Sequence, residues 1–522
     1  MLAEETWDRL RRRVESRLIR VDPTGLEADL AALANPYYCQ ERPDTYQTTG
    51  WLGAYDTRPS QYAVAVRSAA DIAAAVDFAR ETGVRLAVKG TGHDYLGRSR
   101  APDSLLVWTH HLREVTLHDD FRPKDASWDR GVPAVTVGAG TRWLEVYHAA
   151  AERDWYVQGG GCTTVGAAGG FTQGGGFGHF SKRFGTAAGN VLQAEVVTAD
   201  GRCLVVNEMR HPDLFWALRG GGGGTFGIVS ALTFRAHPRP KSVGAVIGEI
   251  HAATDADYRE LVGAMVRLVP GLDTPAWGEQ VGFGPNNTVV LALLFNDLTE
   301  ADARAVFAPL TAWLAERDAR YSSDILFAAF DFSDWWNAEF WDRLAPGFIH
   351  RDLRAGQSGA LFWWDTNQNE VSAFIEAYIS RWLPTAAFQE TPEVLADALF
   401  EASRHSGFSL HMNKGLAGSA DEARARDHTT AINPVVFDAP CLMIMASEQS
   451  QVYPGVPGHE PDLRRAETRR QAITDAMRII RSVTPGGGAY VNEADYFEPD
   501  WQHSFWGAHY ESLLAIKNKY DP

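Results

Sequence analysis

Cysteine is scarce in this chain: four in 522 residues, Cys39, Cys162, Cys203 and Cys441. They form no CxxC pair and no metal-ligand spacing, and so few in so long a chain exclude a disulfide framework. No metal is expected. Long apolar runs are lacking too: no stretch of about 18 apolar residues exists, so no membrane-spanning helix is expected. The opening MLAEETWDRLRRRVESRL reads as a charged amphipathic helix without the apolar h-region of a secretory signal. The expected location is cytoplasmic, or secreted if a leader has been removed. Positive charge is also short. Lys and Arg number 49 against 66 Asp and Glu, a net charge of −17. An acidic chain without a basic run is a poor phosphate-backbone binder, so no nucleic-acid partner is expected. There is no internal repeat and no low-complexity tail. Oligomeric state leaves no signature in the residues.

Glycine is abundant. Of 48 glycines, ten fall between 159 and 178 in GGGCTTVGAAGGFTQGGGFG. Glycine loses the most freedom on ordering, so such density inside an apolar chain needs a reason. Backbone lying against a flat or charged ligand, amides aimed at it, supplies one. A flexible linker is opposed by Val165, Phe171 and Phe177, which anchor the run. Cys162 then sits against whatever the loop holds.

The chain before this stretch reads as strand and helix in alternation. Residues 62–66 are strand-like. Ser68-x-x-Asp71 starts a helix with Ile72, Ala75, Val76 and Ala79 on one face, and Gly83 stops it. A strand at 85–88 completes a βαβ unit and runs into Lys89-Gly90-Thr91-Gly92-His93-Asp94, the position where α/β folds hold phosphates. Residues 133–138, 143–153 and 156–157 read as strand, helix and strand leading into the glycine stretch. An Asp200-Gly201 turn joins 191–198 to 203–206 as a hairpin. A short helix at 213–219 precedes five glycines, Gly220 to Gly224. His237-Pro238-Arg239-Pro240 marks a boundary. Beyond it strands are expected at 243–250, 288–295, 361–364, 408–412 and 441–445, with helices at 257–269, 301–317, 371–382 and 462–483. Their looser alternation suits one antiparallel sheet covered by helices, an α+β class. Aromatics crowd 327–364, including Trp335, Trp336, Phe340, Trp341, Phe362, Trp363 and Trp364; core packing is their expected role.

Three glycine loops suggest a dinucleotide, but Gly174-Gly175-Gly176-Phe177-Gly178 lacks the long helix and the later acidic residue of a Rossmann site. The motifs instead resemble the berberine-bridge-enzyme-like flavoprotein oxidases of the vanillyl-alcohol-oxidase superfamily. Lys89 to His93 resembles their R/K-x-G-G-H loop, with Thr91 replacing a glycine. Gly160 to Gly166 resembles G-x-C-P-T-V-G, with Thr163 replacing the proline. Asp213 to Gly220, Phe226-Gly227-Ile228-Val229 and the ending Tyr490-x-Asn492 with Trp506-Gly507 and Tyr510 follow in family order, over the chain from about Tyr37 onward.

The resemblance implies a PCMH-type two-subdomain FAD-binding domain in residues 1–240 (core about 55–240). It further implies a substrate domain in 241–474 and a C-terminal segment, 475–522, returning to the first domain. It implies FAD bound twice covalently, 8α to His93 and 6-S to Cys162, both of a type that suits an electron-poor ring. It places Lys89, Gly90, Thr91, Gly92, Asp94, Gly97, Val165, Gly166, Gly169, Gly170, Gly174, Gly175, Gly176, Gly178, Gly227, Val229, Asn492 and His509 around the cofactor. Val165 stands at a gatekeeper position and resembles the oxygen-reactive members. The implied reaction takes hydride from an alcohol carbon of a small organic substrate to flavin N5, with O2 reduced to H2O2. A dehydrogenase poorly reactive with O2 and a non-catalytic flavin-bearing binding protein are the alternatives. The family's second tyrosine of Y-x-N-Y-x-D is Glu493 here, in an ending that resembles a microbial alcohol-oxidase branch. Glu493 is the candidate base, with Tyr490 and His411 as further catalytic candidates. His509 stands where the family has asparagine. The substrate itself is not named by any motif.

Overall fold

Helix Ala69–Thr82 begins where Ser68 accepts the amide of Asp71 and ends at Gly83, whose φ of 71° closes the last turn. Strands Tyr62–Ala65 and Arg85–Lys89 flank it in sequence, and Ser104–Trp108 lies between them in space, parallel to both. Leu18–Arg20 completes this four-stranded sheet from the edge. Trp7, Leu10 and Val14 of helix Glu4–Val14 pack with Ile72, Ala75 and Phe78 as one apolar cluster. The sheet thus delivers the loop after Lys89 from the C-terminal end of a parallel strand, as expected.

The computed structural model describes residues 2–22, 30–55 and 58–522. A second sheet is built around Ile228–Pro238, which pairs antiparallel with Val132–Gly138, Val191–Val197 and Trp155–Val157. The hairpin of Val191–Val197 and Cys203–Val206 forms as the Asp200-Gly201 turn dictates. Trp155–Val157 leads straight into the glycine stretch.

The third sheet has nine strands, with the path Tyr321–Ser323, Ser242–Ala252, Thr288–Asn296, Trp277–Phe283, Phe408–His411, Cys441–Gln449, Ala373–Leu383, Thr48–Trp51; Leu326–Asp331 joins it beside Ser242–Ala252. Helices Asp255–Leu272, Pro392–His405 and Leu463–Val483 cover it, burying Leu261, Val262, Leu399 and Ile480 completely. This is the helix-covered α+β layer expected beyond residue 240.

One expected helix is a strand. Residues 371–382 spread apolar side chains at helical spacing, yet Ala373–Leu383 is a central strand between Cys441–Gln449 and Thr48–Trp51. Ten of its eleven residues are buried. A strand buried on both faces loses its alternation, so periodicity alone does not separate it from a buried helix. Strand Thr48–Trp51, which carries no clear sequence signal, pairs in parallel with it. It also ties the first glycine loop to the large sheet, since Gln47 N donates to Gly92 O at 3.0 Å and Thr48 Oγ1 to Asp94 O at 3.3 Å. No helix among the described residues is long and apolar enough to cross a membrane.

Candidate active site

The loop after Lys89 is aimed by its backbone. Gly92 has φ +82°, a left-handed conformation that costs a side-chain-bearing residue, and the turn it permits presents His93. Lys89 points the other way. Its buried Nζ donates to the carbonyls of Arg42 and Thr45 at 2.6 Å, and burial pulls it down to about 7. It pins the loop from below. Asp94 is held by the Arg98 side chain at 2.9 Å. Thr91, a departure from the family motif, accepts the Gly166 amide at 3.0 Å and so bolts the first loop to the second.

The second loop is clamped by aromatic residues. Tyr147 Oη donates to Gly160 O at 2.6 Å, Trp364 Nε1 to Gly161 O at 2.9 Å, and Thr163 Oγ1 to Phe362 O at 2.6 Å. The tryptophan-rich segment 335–364 is therefore core, as expected, and its polar edges fix the backbone on either side of Cys162. Further on, the loop folds back on itself. A Cβ on Gly178 would lie 1.7 Å from the Gly159 carbonyl oxygen, whereas one on Gly169 would meet nothing within 4 Å. Gly178→Ala is expected to cost about 1–3 kcal/mol of stability, while Gly271→Ala, whose Cβ would meet only Val306 Cγ1 at 3.9 Å, does not lower the melting temperature. Thermal melts of the two variants side by side check this; equal midpoints refute the close packing.

The two loops bring His93 and Cys162 to one hydroxyl. Thr164 Oγ1 lies 3.0 Å from His93 Nε2 and 3.4 Å from Cys162 Sγ. Gln40 braces the group, donating to Thr164 O at 2.7 Å. Burial pulls the imidazole down to about 4, so it is neutral at physiological pH. Burial, aided by the Glu370 carboxylate, pushes the Cys162 thiol up to about 11.

Next to this pair is a cluster of phenols and carboxylates from distant parts of the chain. Tyr95, two residues after His93, stacks on Tyr378 at 5.0 Å and donates to Glu370 Oε2 at 3.1 Å. Asn367 donates to the other Glu370 oxygen at 3.2 Å. Burial pushes Glu370 up to about 7, and the Glu448 and Glu493 carboxylates push the same way. Glu493 itself accepts from Lys414 Nζ at 2.5 Å. Tyr95, Glu370, Tyr378, Glu493 and Lys414 are each half-buried. Glu370 and Tyr378 carry no motif. Only the raised carboxylate, visible once the fold is closed, marks Glu370.

The remaining expected site residues divide. Asn492 Nδ2 donates to Gly170 O at 3.0 Å, Phe171 O at 3.1 Å and Tyr490 Oη at 2.9 Å, and Tyr490 Oη accepts the Gly176 amide at 3.1 Å. The C-terminal segment thus locks residues 170–176, and the Tyr490 hydroxyl is engaged with backbone. Gly220 N and Gly222 N both donate to Gln173 O at 2.9 Å, which draws the third glycine loop onto the second. His411 ends strand Phe408–His411 with Nε2 2.8 Å from Ser409 Oγ; burial, then Lys414, holds it well below its ordinary range. His509 stands edge-on to Trp216 at 5.2 Å. Gly227 and Val229 lie against strand Val191–Val197, and none of the described contacts joins them to His93 or Cys162.

The residues present fit a flavin dinucleotide. Gly169 and Gly170 face open space, and Gly223 packs on Gly170 so closely that a Cβ would fall 2.7 Å from its Cα. Around the loops, Gln40 Oε1, Gln173 Oε1, Asn492 Oδ1 and His509 Nδ1 are buried without a hydrogen-bond partner among the described residues. Buried polar atoms are normally partnered, so these are suited to a polar ligand.

Comparison with known proteins agrees. A family model described as FAD binding domain matches residues 60–207, and one described as Berberine and berberine like matches 489–522. FAD-linked oxidoreductase ZEB1 of Gibberella zeae is 32% identical over 506 residues, 95% of this chain and 80% of that protein. VAO-type flavoprotein oxidase VAO615 of Thermothelomyces thermophilus is 32% identical over 474 residues, 90% of this chain and 75% of that one. Among solved structures, the VAO-type flavoprotein MtVAO615 from Myceliophthora thermophila superposes with a TM-score of 0.79 at 27% identity, over 100% of this chain and 93% of that one.

Proposed function

The chain belongs to the berberine-bridge-enzyme-like FAD-linked oxidoreductases of the vanillyl-alcohol-oxidase superfamily, and from that premise we propose that it is a bicovalent flavin oxidase that oxidises an alcohol carbon of a small organic substrate and reduces O2 to H2O2. The observation that carries this reading is the convergence of His93 and Cys162 on Thr164, beside the Tyr95–Glu370 pair. The VAO-type relative described as an oxidase supports it, as does Val165 at the gatekeeper position.

When bound, FAD supplies the hydride acceptor and the route to oxygen. The chain's own part is held in four groups. His93 and Cys162 fix the cofactor. Tyr95 Oη receives the substrate hydroxyl proton as its own passes to Glu370 Oε2, 3.1 Å away. A carboxylate near 7 is a matched acceptor at neutral pH: ionised often enough to take a proton, basic enough to hold it. Glu493, in its ion pair with Lys414, keeps a second carboxylate near Glu370, a like charge that helps raise it. Tyr378 stacks on Tyr95 and keeps the phenol in place. The stacked rings of Tyr95 and Tyr378 suit a substrate with apolar or ring surface.

The test is a peroxide-coupled screen of alcohols, sugars and phenols, followed by anaerobic flavin reduction with each hit. The expected result is bleaching by substrate and rapid return of colour in air. Bleaching that persists in air makes the protein a dehydrogenase, and flavin that no substrate bleaches makes it a binding protein.

A further inference from the structure

Thr164 is an unusual neighbour for two nucleophiles to share. Its hydroxyl is 1% exposed at the residue level and touches both His93 Nε2 and Cys162 Sγ, while its carbonyl is tied to Gln40. A hydroxyl donates one hydrogen bond and accepts others, so a chain through it runs in either direction. Gln40 Nε2 also lies 3.5 Å from His93 Nε2, but its short bond, at 2.7 Å, goes to Thr164 O; with Nε2 protonated, His93 donates to Thr164 at 3.0 Å and Nδ1 keeps a bare lone pair. With Nδ1 occupied, Nε2 is the free lone pair, and the chain reverses: thiol to hydroxyl, hydroxyl to Nε2.

We propose that Thr164 is a proton relay that orders the two cofactor attachments, leaving Nδ1 of His93 free to react first and then carrying the Cys162 thiol proton to His93 Nε2. The proposal rests on the double attachment proposed above. Each attachment has the same balance. A flavin C–H and a protein N–H or S–H are exchanged for a C–N or C–S bond. The two electrons pass through the flavin to dioxygen, and the two hydrogens leave on it as hydrogen peroxide. Thr164 is a positioning residue in this scheme; it forms no bond to the cofactor.

The physical need for the relay is plain from the surroundings of Cys162. The titratable groups that face it are Glu370 and the phenols of Tyr37, Tyr95 and Tyr147, with His93 reached through Thr164. None of these is a cation that would hold a thiolate. A thiol must be ionised to attack, and burial opposes ionisation here. The hydroxyl path to an imidazole nitrogen provides a place for the proton.

Peptide mapping by mass spectrometry of the purified holoprotein tests this, using Thr164→Val, which keeps the shape, and Thr164→Ser, which keeps the hydroxyl. Wild type and Thr164→Ser are expected to carry flavin on both the His93 and Cys162 peptides. Thr164→Val is expected to carry it on His93 alone, with a Cys162 thiol that alkylates after denaturation. Incubating that purified variant in air at about pH 10 closes the second bond, and at about pH 7 does not, because the thiol must then ionise unaided. Full double attachment in Thr164→Val at neutral pH overturns the relay. So does a Thr164→Val protein that melts like wild type but carries flavin on neither peptide. If the valine variant does not fold, Thr164→Ala is read the same way. A wild-type map with either peptide unmodified removes the double-attachment reading and the relay with it, and is told apart because it is seen before any variant is made.

Discussion

Glu370→Gln slows the reduction of flavin by substrate about 10²- to 10⁴-fold, the range over which a positioned general base acts, and leaves reoxidation by oxygen unchanged. The substitution keeps the side chain's shape and one of its two accepted hydrogen bonds, from Tyr95 or from Asn367, since an amide carries a single acceptor oxygen, and it removes the group that takes the proton. Stopped-flow reduction without oxygen, then mixing with air-saturated buffer, separates the two half-reactions. The pH dependence gives a second readout. Below about 7 the wild-type carboxylate is protonated and cannot accept from Tyr95, so reduction falls as pH falls and levels off above that value. The glutamine variant loses this limb. Tyr95→Phe loses rate in the same step, because the phenol is the link between substrate and carboxylate. Glu493→Gln discriminates. It retains Glu370 but leaves the half-buried Lys414 end of the ion pair without its partner, so a modest effect with the pH limb kept is expected. If Glu493→Gln is the variant that stops reduction and Glu370→Gln is not, the base is Glu493 and the Tyr95–Glu370 pair is structural.

Replacing both His93 and Cys162 by alanine abolishes covalent flavin. Cys162→Ala alone leaves the cofactor attached through His93. Denaturing and precipitating each protein reads this directly: yellow colour stays in the pellet for wild type and for Cys162→Ala, and goes to the supernatant for the double variant. The double variant still binds FAD in the folded state, because the cradle is backbone. The glycine loops are held by Thr91, Asn492 and Gln173, none of which the substitution touches. Wild-type colour found entirely in the supernatant refutes the attachment at both residues.

Much of the molecule is legible in the residues because the signals are local. Ser68 and Gly83 bracket a helix whatever lies around it, and Asp200-Gly201 makes its hairpin from backbone preference alone. The glycine loops announce close approach of backbone to something, but for eight of the ten glycines in 159–178 that neighbour is the protein's own atoms, and only Gly169 and Gly170 face open space. The resemblance of the motifs, in their order along the chain, to the flavoprotein family nominated His93 and Cys162. Where burial erased the local signal, legibility ended. Ala373–Leu383 is buried on both faces, Ile379 and Leu383 sharing a core cluster with Ile473 and Ile480 of the covering helix and Trp382 packing on Phe177, and nothing within its eleven residues says so.

Element patterning thus determined the α+β class by itself, and the motifs and their order, through their resemblance to the berberine-bridge-enzyme-like flavoproteins, determined a flavin-binding oxidoreductase. Only the tertiary structure decided which side chains stand beside His93 and Cys162. It placed Glu370 against Tyr95 across 275 residues of sequence, paired Lys414 with Glu493, and set Thr164 between His93 and Cys162. A carboxylate's proton affinity is fixed by burial and by neighbouring charge, and both are properties of the closed fold, to which no spacing along the chain corresponds.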